Sequence, residues 1–147
     1  MKRLDAGAKK KILRVLFVAL CIVLVALGWP RKLSRLVPAD QVESIYITWF
    51  EDIHSDPEKV TLTGEQVKAF FDHWEGFFLQ ITTPRSIFME PTYHMHLNTG
   101  SSHFDILVSA EGVVMLRELG GREKFYYAKP WNDQSPTQLE DFIRSLE

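Results

Sequence analysis

Residues 92–128, TYHMHLNTGSSHFDILVSAEGVVMLRELGGREKFYYA, decide the fold, because apolar and polar residues alternate there with a period of two. Tyr93, Met95 and Leu97 alternate with His94, His96 and Asn98, and Phe104, Ile106 and Val108 follow on one face against His103 and Asp105. Side chains on successive strand residues point to opposite faces, so this pattern describes antiparallel strands with one buried face. Turn signals at Thr99-Gly100, Glu111-Gly112 and Gly120-Gly121 divide the stretch into four strands of a meander.

Upstream, 42–50 (VESIYITWF) is rich in β-branched and aromatic residues and reads as a strand. The acidic turn 51–58 leads into a second short strand over 59–62. Thr63-Gly64-Glu65-Gln66 then forms a capping box, and Val67, Phe70, Phe71, Trp74 and Phe77 or Phe78 recur at steps of three and four. They mark an amphipathic helix that Gly76 either closes as a C-cap or continues through, and 80–91, with Pro84 and Pro91, reads as a loop. At the other end Ser135-Pro136-Thr137-Gln138 opens a second helix with stripe Leu139, Phe142, Ile143 and Leu146. The expected fold is α+β: an antiparallel sheet in the order ββαββββα with two amphipathic helices packed on one face.

Before this domain (39–147) lie a basic tail (1–11), an apolar segment (12–29) and a short basic linker (30–38). In 12–29 the only charge is Arg14, close enough to one end to snorkel toward headgroups. Eighteen helical residues reach about 27 Å, enough for a transmembrane helix. Lys2, Arg3, Lys9, Lys10 and Lys11 precede the segment against Arg31, Lys32 and Arg35 after it, an excess that keeps the N-terminus inside and the domain outside. A cleaved signal segment, cut near Gly28 after the pair Ala26 and Gly28, exports the domain equally well.

Charge and cysteine usage narrow the function. The chain of 147 residues has a net charge of −2, but residues 1–37 carry nine Lys/Arg and one acid, whereas the rest carries eight against eighteen. A domain at about −10 repels phosphate backbones, which argues against nucleic acid as a partner. The only cysteine, Cys21, lies in the apolar segment, so the domain has no disulfide. Nine of the ten Phe, three of the four Trp and all four Tyr lie after residue 37, enough aromatic volume to close a core without one.

The sharpest chemical constellation is His94, His96, His103 and Asp105, a metal-ligand set for Zn or Cu because imidazole nitrogens and a carboxylate suit both ions. A tight turn on Thr99-Gly100 pairs His96 with His103 and His94 with Asp105; a longer loop pairs His96 with Asp105 and Asn98 with His103. The bland reading is the solvent face of an amphipathic hairpin. Glu51, Asp52, His54, Asp56 and Glu58 lack the spacing of a calcium loop and read as a solvated turn. No serine sits in a nucleophile elbow and Gly120-Gly121 introduces no helix, so no catalytic or phosphate-binding signature is present. Tyr46, Phe50 and Tyr126, with Thr48 and Lys124, are expected on the sheet face away from the helices, as a surface for a protein or glycan partner. The reading is thus a membrane-anchored, non-enzymatic binding module outside the cytoplasm, with a metal-binding surface protein and an enzyme of unrecognised site as alternatives.

Overall fold

A computed structural model describes residues 6–50, 56–82 and 93–146, apart from the side chains of 6–8, 24 and 26–28. The turn 51–55 and most of the loop 80–91 lie outside the described residues. The described residues form an antiparallel seven-stranded sheet with three α-helices, in the α+β class. Helix α1 (Ala6–Gly28) precedes the sheet, and two short 3-10 turns follow it. The strands are β1 (Ser44–Trp49), β2 (Glu58–Thr63), β3 (Phe78–Thr82), β4 (Tyr93–Asn98), β5 (His103–Val108), β6 (Val113–Glu118) and β7 (Lys124–Lys129). Helix α2 (Glu65–Trp74) lies between β2 and β3, and α3 (Ser135–Arg144) ends the fold.

The order in space is β2-β1-β4-β5-β6-β7-β3. Strands β4 to β7 therefore form the meander expected from residues 92–128. Strand β3 is an addition to the sequence reading: the order is ββαβββββα. The three-and-four spacing runs on through Phe77 and Phe78, yet the helix stops at Trp74 and the amides of Gly76 and Phe77 turn back onto the carbonyls of His73 and Trp74. Phe78 to Thr82 then pair with β7, so the chain between β2 and β3 crosses from one edge of the sheet to the other by way of α2.

The capping signals act only in part: Gly64 and Gln134, not Thr63 and Ser135, hold the N-cap positions, and neither makes a side-chain cap bond. The Thr63 amide donates to Gln66 Oε1 at 3.3 Å, the reach-back half of the capping box. At α3 the Asn132 amide donates to Ser135 Oγ at 3.0 Å and the Gln134 amide to Asn132 Oδ1 at 2.9 Å, so Ser135 is the first helical residue instead of the cap.

One face of the sheet carries Ile45, Ile47, Trp49, Leu62, Met95, Leu97, Ile106, Val108 and Tyr126, all buried with Phe70 and Trp74 of α2 and Leu139 and Ile143 of α3. The helices meet each other where the His73 and Phe142 rings stack at 4.2 Å and 10°. The stretch read as a linker is tied into this body. Leu33 and Val37 are buried in the core, Arg31 forms a backbone bridge with Leu79 of β3, and Lys32 and Ser34 both donate to Glu75.

Helix α1 spans 23 residues, and its described apolar side chains stand clear of the core. Among the described residues no helix is long and apolar enough to cross a membrane. The apolar run 12–29 includes side chains outside that described set.

Candidate functional site

The sheet face opposite the helices gathers the polar residues of β1, β4, β5 and β6. Its register is matched by the β4–β5 loop. Thr99 and Ser102 close that loop on themselves: the Thr99 amide donates to Ser102 O at 3.0 Å and the Ser102 amide to Thr99 Oγ1 at 3.0 Å. The Gly100 amide, at φ +73°, donates to Asn98 Oδ1 at 2.9 Å. Four residues rather than two make the turn. His96 therefore opposes Asp105, and His103 opposes Asn98 at the hairpin end, which is the longer-loop register.

Three of the four sequence candidates converge. His94, His96 and Asp105 each offer a ligand atom, and these atoms lie within 4.8 Å of one another; His103 is outside the group. The His94 and His96 rings, two residues apart on β4, have centroids 4.2 Å apart. His96 Nδ1 meets Asp105 Oδ1 at 2.5 Å. Arg117, opposite Asp105 on β6, donates to Asp105 Oδ2 from Nη2 at 2.7 Å and from Nε at 3.2 Å. Tyr46, opposite His96 on β1, stacks on its ring at 6.3 Å and 27°. Arg117 and the Tyr46 contact were not singled out from sequence; only the joint register of β1, β4, β5 and β6 brings them to the histidines.

Burial raises the affinity of the Asp105 carboxyl for its proton, but the hydrogen bonds from Arg117 and His96 outweigh it and hold the carboxyl below the usual carboxylate range. Asp105 is thus a fixed anion with one oxygen toward each neighbour. His94 is displaced the other way from a free imidazole: burial lowers its pKa, with help from His96 and Arg117 and opposition from Asp105. His94 is a neutral ring at pH 7. Its Nε2 is enclosed and has no hydrogen-bond partner.

The aromatic surface is smaller than expected. Tyr46 is 38 % exposed and Phe50 50 %, whereas Tyr126 is 1 % exposed and lies on the helix-packed face, opposite Val114 and Ile81. Tyr126 is therefore a core residue. The run Phe125-Tyr126-Tyr127 is aromatic at every position, so its alternation carries no sign of which side is wet.

No family model matches this sequence, and no curated protein matches it. Among solved structures a likeness is found to the crystal structure of "Putative Lipoprotein from Clostridium perfringens", at 16 % identity over 71 % of this chain and 84 % of that one, with a TM-score of 0.49.

Proposed function

We propose that this protein is a membrane-anchored, non-enzymatic binding module whose folded domain stands outside the cytoplasm, held by residues 12–29. The single observation that carries the reading is the state of α1: ten of its large apolar side chains, from Ile12 to Val25, are between 49 % and 68 % exposed, and none belongs to the core. At about 1.5–3 kcal/mol for each such side chain fully removed from water, leaving half of their surface wet costs on the order of ten kcal/mol. A soluble helix of one apolar stripe hides that stripe against its own domain. Here the apolar residues surround the helix axis, and a lipid phase is the environment that covers all sides at once.

The charge arrangement sets the orientation. Lys9, Lys10 and Lys11, in the first turns of α1, lead into its apolar run, and the acidic domain follows it. In this reading β3 is the strand nearest the lipid, since Arg31, two residues beyond Trp29, bridges to Leu79. Exposed Phe78 and Ile81 on that edge, with Lys32 Nζ lying 3.9 Å from the Phe78 ring centroid, suit a headgroup layer where aromatic rings and cations sit together. The partner, a protein or glycan, meets the sheet face that carries Tyr46 and Phe50.

The test is fractionation of the full chain with a C-terminal tag in cells. It is expected to stay in the membrane pellet after alkaline extraction and to lose its tagged domain to protease added outside. Recovery in the soluble cytosol, or a domain spared by external protease, overturns the reading. Intact-mass measurement of the recovered chain separates an uncleaved anchor from a segment cut near Gly28.

A further inference from the structure

We propose that His94, His96 and Asp105 form a divalent transition-metal site, for Cu²⁺ or Zn²⁺, on the open face of the β4–β5 hairpin. The proposal goes beyond the anchored-module reading and stands whether or not residues 12–29 cross a lipid. It begins from an accounting of the polar atoms on this face. The ladder His96–Asp105–Arg117 is complete in itself, each member bonded to the next. His94 is not part of it. Half-buried, it packs its ring against His96, and its Nε2 is shut from solvent without a hydrogen bond. Ring nitrogens of Trp49, His73 and Trp74 are enclosed without a partner as well, but His94 is the one of the four that stands beside a second imidazole and a carboxylate.

A metal ion supplies that partner. Two imidazoles at i and i+2 on one strand and a carboxylate on the next are the donor types that suit Zn²⁺ and Cu²⁺. Bonds of about 2.0–2.1 Å in a tetrahedral shell put neighbouring ligand atoms about 3.3 Å apart. The three atoms already lie within 4.8 Å of one another, so side-chain rotation closes the remainder; the ion then takes the place of the His96–Asp105 hydrogen bond, while the backbone register and the Arg117 hold on Oδ2 are kept. Arg117 then acts as a positioning residue. It grips Asp105 through Oδ2 and leaves Oδ1 facing His96, the arrangement in which an outer partner orients a ligating carboxylate. Three protein ligands leave a coordination position for water or an external donor. In the sheet order β5 stands three strands from β3, about 14 Å at the usual strand spacing, so the site is clear of the edge nearest α1.

The test is isothermal calorimetry of the tag-free full chain in detergent with CuCl₂ and, separately, ZnCl₂. One saturable equivalent is expected, with Cu²⁺ tighter than Zn²⁺ as the Irving–Williams order requires. His94→Gln and His96→Gln are each expected to weaken binding tenfold or more, and Asp105→Asn likewise. His103→Gln, on the same face but outside the cluster, is expected to leave it unchanged. Electron paramagnetic resonance of the Cu²⁺ form is expected to show coupling to two imidazole nitrogens, falling to one in His94→Gln. Absence of saturable binding overturns the proposal. So does binding that survives loss of both His94 and His96, or that falls equally in His103→Gln. If a variant unfolds, the nitrogen coupling of the unmodified chain decides alone, and its absence refutes the site.

Discussion

Gly112→Ala is expected to destabilise the fold by about 2 to 5 kcal/mol, and about half of that penalty should vanish when Trp131 is removed. Gly112 sits in the β5–β6 turn at φ +78°, where an L side chain costs about 1–2 kcal/mol. A Cβ there would also lie 2.3 Å from Trp131 Cγ and 2.6 Å from both Cδ1 and Cδ2, whereas carbon atoms in contact prefer about 3.5–4.0 Å. The indole must therefore move by more than an ångström. It is held by two interactions: its Nε1 donates to Ala110 O at 2.9 Å, and its ring lies 5.7 Å from that of Phe77. A hydrogen bond is worth about 0.5–1.5 kcal/mol and an aromatic pair about as much, so displacing the ring adds about 1–3 kcal/mol to the backbone term. Urea denaturation of the full chain in detergent, followed by tryptophan fluorescence and circular dichroism, measures the loss. In a Trp131→Ala background Gly112→Ala should cost only the backbone part, about 1–2 kcal/mol. An equal cost in both backgrounds refutes the claim that Trp131 packs on this turn.

Two further outcomes follow from other parts of the molecule. Burial lowers the pKa of His73 between α2 and α3, so its folded value is below the 6.5 of a free imidazole. The unfolded chain then binds the proton first: stability is fully present above pH 6.5 and declines as pH falls below it. His73→Phe, which keeps a ring to stack on Phe142, should flatten that decline in the urea midpoint between pH 7.5 and 5; an unchanged slope would assign it to other groups. Leu33→Ala should destabilise by about 2–5 kcal/mol, because Leu33 is fully buried in the core; a cost below about 1 kcal/mol would mean that the segment after α1 is dispensable to the fold.

What the sequence revealed and what it concealed divide along physical lines. Strands with one wet and one dry face write that contrast into every second residue, which is why β4 and β5 were legible down to the position. Strand β3 was not, because FLQIT lies at a sheet edge, where Phe78 and Ile81 stay exposed on either side of buried Leu79 and the alternation is lost. The preceding helix hid it further, since Phe77 and Phe78 continue the helical spacing beyond the point where Gly76 turns the chain. Tyr126 was misplaced for a related reason: among Phe125, Tyr126 and Tyr127 only pairing with β6 decides which ring is inside. Leu33 and Val37 escaped notice because two apolar residues among Arg31, Lys32 and Arg35 look like a solvated basic stretch until their burial is seen.

The histidine face shows how little separates a legible residue set from an unreadable geometry. The residue types were plain in the sequence, but which of them meet depends on whether the hairpin turns over two residues or four. The side chain of Thr99 fits the longer turn, accepting from the Ser102 amide. With two residues in the turn, His96 would face His103 and Asp105 would face His94. With four, Asp105 comes to His96, and Arg117 on the next strand comes to Asp105. A Thr99 variant that cannot accept that bond tests whether the loop, rather than strand pairing beyond it, holds the register. Thr99→Val keeps the shape without the acceptor. Since slipping the register would turn Leu97 and Ile106 against new partners while three neighbouring strands still hold their places, the pairing beyond the loop should win. The His96–Asp105 contact should survive in Thr99→Val, read by NMR as an unchanged His96 imidazole environment. A shifted His96 signal together with a new His96–His103 proximity would show that the turn alone governs which histidines meet.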